Sequence, residues 1–139
     1  MQNGAVDPDS LGVAMADLLE SAAPEGIRVR YSDGMLWYYN DFPGAYGGSD
    51  DPSRPSVGDY WRENLLIMSY EPPEEALRNV CEVTLDHFQD FVVEMTATPW
   101  PGASIPPRAA AILREDGTID LLFQGDDGQE TLVGKLAIR

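Results

Sequence analysis

The sequence contains one cysteine, Cys81, one histidine, His87, and one lysine, Lys135. A lone cysteine excludes an intramolecular disulfide and a multi-cysteine metal site. Cys81 and His87 fall in one helical stretch at a spacing that turns their side chains away from each other, so they cannot act as a thiol–imidazole dyad. Cys81 falls on the apolar side of that stretch and reads as a core thiol. His87 falls where the apolar and acidic sides meet and reads as half-exposed.

Basic residues are scarce. There are 24 Asp and Glu against 9 Lys and Arg, a net charge of −15. Such a chain repels nucleic acid and anionic membranes and suits a basic protein partner. No apolar run reaches the roughly 18 residues of a membrane span. The opening "MQNGAVDPDS" lacks the basic and apolar regions of a secretory signal, so a cytoplasmic protein is the expectation.

Motifs that carry chemistry are also missing. There is no G-x-S-x-G turn, P-loop or Gly-rich dinucleotide turn, and the glycines of "GAYGGSD" have the wrong spacing. No D-x-[DN]-x-[DN]-G calcium loop occurs. The expectation is a non-enzyme without cofactor or metal.

What the chain does have is enough apolar residue, 43%, to bury a core, and a length of 139 residues that suits a single domain over 1–139. "DPDSLGVAMADLLESAAPEG" reads as a helix. Asp7 caps it, Pro8 starts it, and Leu11, Ala14, Met15, Leu18 and Ala22 form its apolar face. "GIRVRYSDGMLWYYN" changes to a period of two and predicts a hairpin over 27–31 and 35–40 around "SDG". On its second strand at least one of Trp37 and Tyr38 should be core.

"NLLIMSY" reads as a third strand, and its Leu65, Leu66 and Ile67 anchor the far end of the aromatic stretch. "PEEALRNVCEVTLDHFQDFVVEMT" reads as a long helix with Leu77, Cys81, Leu85, Phe88, Val92 and Met95 on one face. A rival reading makes "FVVEMTAT" a strand. The last third is a three-strand meander divided by "EDG" and "DDG", with Leu132, Leu136 and Ile138 on one face. The predicted fold is α+β, in the order α-β-β-β-α-β-β-β. Two helices cover one face of a mainly antiparallel sheet of about six strands.

Two features point to a binding surface. The stretch from Leu36 to Trp61 holds over half of the chain's aromatic residues, and its middle, the loop at about 41–62, is rich in Gly, Pro and Asp. That mixture suits a recognition loop with Phe42, Tyr46 and Tyr60 at its tip. The second feature is the series Glu82, Asp86, Asp90 and Glu94 at helical spacing, continued by Glu75. Like charges at this spacing cost a helix roughly 0.2–0.5 kcal/mol per pair. A ridge of this kind speeds docking of a basic surface.

These features lead to a small acidic interaction protein that binds a basic protein, as an immunity-type inhibitor or an adaptor or chaperone. Alternatives are a small-ligand or carbohydrate-binding protein, for which Asp41, Asp50, Asp51 and Asp59 would join the aromatics, and a nucleic-acid mimic. A structural subunit with Leu122 and Val133 at its contact is a further class.

Overall fold

The computed structural model describes residues 7–40, 55, 57–68, 72–102, 107–125 and 128–138. Helix α1 (Pro8–Ala22) is followed by strands β1 (Ile27–Ser32), β2 (Met35–Asn40) and β3 (Val57–Asp59), then by helices α2 (Trp61–Ile67) and α3 (Pro73–Thr96), and finally by β4 (Arg108–Leu113), β5 (Thr118–Gln124) and β6 (Glu130–Ala137). The α+β composition agrees with the sequence. The arrangement differs: the strands form two antiparallel three-stranded sheets, ordered β1-β2-β3 and β4-β5-β6, in place of one sheet of about six.

Local chemistry explains most boundaries. The Asp7 carboxylate accepts the Asp9 N–H at 3.2 Å and caps α1, with Pro8 in the first turn where its missing N–H costs nothing. Asp33 and Gly34 both have positive φ, 53° and 81°, the conformation that a two-residue hairpin turn demands. They join Ser32 to Met35 in register. Helix α3 begins with Pro73, Glu74 and Glu75 at its positive end. It stops at Ala97, whose left-handed backbone still donates its N–H to the Val93 carbonyl. The helix continues through "FVVEMT", so the rival strand reading is excluded.

Three expectations are corrected. The first four residues of "NLLIMSY", 64–67, are helix rather than strand: they belong to α2, and Leu66 and Ile67 are 66% and 63% exposed. Trp61 sets this outcome. Its side chain is fully buried and its indole N–H donates to the Pro8 carbonyl at 2.9 Å, so α2 is nailed down at its first residue and its apolar end is left outside. The loop expected over 41–62 contains β3 and the start of α2. Leu132 does not share a face with Leu136, because the register shifts between Leu121 and Leu122: Leu121 pairs with Gly134 and Leu122 with Leu132. Val133 is the extra residue of the bulge, so Leu132 ends 56% exposed while Leu136 is fully buried.

Both long helices touch the second sheet, and α1 also packs on the first. Helix α1 lies against β1 and β6, and α3 against β4 and β5. Helix α3 also reaches the first sheet through the Tyr38–Phe88 and Tyr38–Phe91 ring contacts, with centroids 5.1 and 5.4 Å apart. Trp100 meets Phe88 and Phe123 edge-on, which extends the aromatic chain into β5. One apolar cluster therefore draws on both sheets and all three helices. Each such side chain, fully buried, contributes about 1.5–3 kcal/mol. The buried Gln89 side chain donates to the carbonyls of Trp100 and Pro107, which ties both residues to α3.

Candidate interaction surface

Sequence-predicted site residues divide into three groups. Phe42 and Tyr46 lie outside the described residues. Glu75 and Glu82 are half-exposed but already paired. The Arg78 guanidinium donates to Glu75 at 2.9 Å and to Glu82 at 3.3 Å, and Glu82 also accepts the Ala111 N–H of β4 at 3.0 Å. Their charges are spent on fixing α3 to the edge of the second sheet, so the N-terminal half of the stripe is structural.

Asp86, Asp90, Glu94 and Tyr60 form the third group, and all four are exposed. The three acids have no ion-pair partner among the described residues. Their helical spacing puts them on one face of α3 with Val83, which is 49% exposed, and His87. The Phe88, Phe91 and Val92 side of the helix is buried.

His87 joins this face to the first sheet. Its Nδ1 lies 3.1 Å from Asp59 Oδ1, and the other oxygen of that carboxylate accepts the Tyr38 hydroxyl at 2.5 Å. Tyr38 is buried. Burial first, and then the Asp59 carboxylate, push its phenol well above the ordinary tyrosine range, so it stays a donor. Asp59 thus links a buried ring on β2 to an exposed imidazole on α3. Tyr60, the next residue, is 59% exposed at the start of α2. The aromatic stretch and the acidic stripe, read separately in the sequence, meet here.

The linkage depends on the pairing of β3 with β2, Leu36 opposite Asp59 and Tyr38 opposite Val57. A strand of three residues in a Gly- and Asp-rich segment gives no periodic signal, so sequence reasoning missed the strand and the pairing. Val83 was also missed, although its spacing with His87 and Asp90 was visible. Tyr38 is the core ring of β2, while Trp37 and Tyr39 are half-buried; the Arg28 guanidinium lies 5.2 Å from the Tyr39 ring centre.

Other chemistry has less support. Cys81 is wholly buried and its thiol is pushed up by burial. Among the described residues no group of three or more His, Cys, Asp or Glu is placed to hold a metal ion, and no helix is long and apolar enough to cross a membrane. An open cleft of about 280 Å³ is lined by Glu74, Leu113, Arg114, Glu115 and Gly117, without an aromatic ring to stack on a sugar. Comparison with protein-family models, with curated proteins and with solved structures gave no match to the chain.

Proposed function

We propose that this chain is a non-enzymatic interaction protein that binds a basic protein partner, as an inhibitor or adaptor. The docking surface is the exposed face of α3, with Tyr60 at its margin. The observation that carries this reading is the set of three exposed carboxylates, Asp86, Asp90 and Glu94, with no cation paired to them among the described residues. They surround Val83 and His87, so the surface combines charge with apolar area. Charge of this kind steers a basic partner and raises its association rate, and the apolar side chains supply contact once it arrives.

The test compares the wild-type chain with an Asp86→Asn, Asp90→Asn, Glu94→Gln variant, each immobilised in its native cell extract and eluted with rising salt. A basic protein held by the wild type, released by high salt and lost from the variant is the expected result. For that protein the variant's association rate should fall about tenfold or more at low salt. Equal retention by both chains, or retention insensitive to salt, overturns the reading.

A further inference from the structure

We propose that the outer edge of β6 receives an extended, basic segment of the partner as an added strand. This deepens the binding reading above and rests on the partner's being basic.

The four sheet edges are not equivalent. At the β1 edge, the Glu20 carboxylate of α1 accepts the Val29 N–H at 2.9 Å, while Arg30 donates to both Glu20 and the Val29 carbonyl, at 2.7 and 3.0 Å. At the β4 edge, Glu82 of α3 accepts the Ala111 N–H, and Arg78 donates to both Glu82 and the Ala111 carbonyl, at 3.3 and 3.1 Å. The same Glu–Arg clip closes both edges by occupying one residue's donor and acceptor. The β3 edge is only three residues long.

Strand β6, with eight residues, is the longest in the fold. Among the described residues its backbone bonds only to β5; the next contact, Ile138 N–H to the Gly117 carbonyl at 3.1 Å, lies past its end. Long open edges are normally blunted, often by lysine. Lys135 does not serve here, because its ammonium lies on Asp120 at 2.8 Å. The bulge at Val133 interrupts the ladder at one point of the strand, with paired residues on either side of it. Glu130, Thr131 and Leu132 are exposed.

Charge selects the occupant. Glu130 stands at one end of β6. Glu115 and Asp116 stand in the turn that meets its other end through Gly117, and Asp17 is exposed on α1 beside Leu18, whose side chain faces Gly134. The nearby cations Arg114 and Lys135 both pair with Asp120, at 2.8 Å each. A second copy would set acid against acid, with −15 on each chain. A strand alternating Lys or Arg with apolar residues finds backbone partners, Leu132 to pack on and carboxylates to pair with.

The test titrates the isotope-labelled full chain with a synthetic peptide of alternating lysine and valine, and with the same peptide N-methylated at every second residue. Methylation keeps the charge and removes the donors of one edge. The plain peptide should slow amide exchange in Glu130–Ala137 and bind about tenfold or more tightly than the methylated one. Leu132→Lys, a change at an exposed position, should weaken it. The α3 triple variant should bind it as the wild type does. Equal binding of both peptides, no protection in β6, or a dimer in solution that Leu132→Lys dissolves each overturns the inference. Loss of peptide binding in the α3 variant overturns it too, while leaving the α3 docking face standing. Protection of β6 together with retention of the basic partner by the α3 variant has the opposite meaning: the edge is kept and the α3 face fails.

Discussion

A methyl group placed on Gly12 would stand 2.3 Å from the Tyr31 ring, so only glycine lets β1 approach α1 this closely. Gly12→Ala should cost about 1–3 kcal/mol by overpacking, measured as a shift in the urea midpoint. Tyr31 repays the close approach with a hydrogen bond from its hydroxyl to Asp9 at 2.6 Å, and Arg62 of α2 grips the same carboxylate at 2.8 Å. Burial, and then Asp9, raise the Tyr31 phenol from 10.0 to about 12. Its folded value lies above its unfolded value. Its stabilising contribution is therefore complete below pH 10.0 and is lost as the pH rises toward about 12. The stability gap between wild type and Tyr31→Phe should narrow across that window in urea titrations. Cys81 gives a second residue-scale outcome. Buried and raised by its burial, it should ignore a thiol-specific disulfide reagent in the folded chain and react fully in denaturing urea.

The elements that could be read from sequence were those whose signals are local. Asp7 with Pro8, "SDG", and the apolar spacing from Leu77 to Met95 mark α1, the first hairpin and α3 within a residue or two of where they occur. The failures had non-local causes. Leu65, Leu66 and Ile67 look like a strand until Trp61 is seen donating to Pro8, far away in the chain. The Glu20–Val29 and Glu82–Ala111 bonds that cover the β1 and β4 edges join residues far apart in the chain, and Glu82 looked like one more surface acid. Removing a clip should expose what it does. Glu82→Ala or Glu20→Ala leaves an edge N–H without its acceptor and should cost about 1 kcal/mol, since water can reach these half-exposed sites. Hydrogen exchange should quicken first at Ala111 in one variant and Val29 in the other. Unchanged exchange at those amides would mean that the clips contribute nothing to closing the edges.

For the whole molecule, the sign of the charge could be read from composition, but which carboxylates are free to act could not. Glu75, Glu82, Asp59, Asp9 and Asp120 all hold the fold together through Arg78, His87, Arg62 or Lys135. Asp86, Asp90 and Glu94 pair with no cation among the described residues. Two adjacent like-charge pairs remain on α3, and Glu94 lies near its C-terminal end, where the helix dipole disfavours an acid and no basic residue occupies the last turn. A face kept for binding should therefore be one that stability alone would have changed. Asp90→Asn with Glu94→Gln should raise the unfolding free energy by roughly 0.5–1.5 kcal/mol. The same pair should slow association with the basic partner and flatten its salt dependence. Opposite signs in the two measurements would separate a binding ridge from an ordinary solvated face, because a face that only keeps the protein soluble would gain stability on neutralisation and lose no affinity.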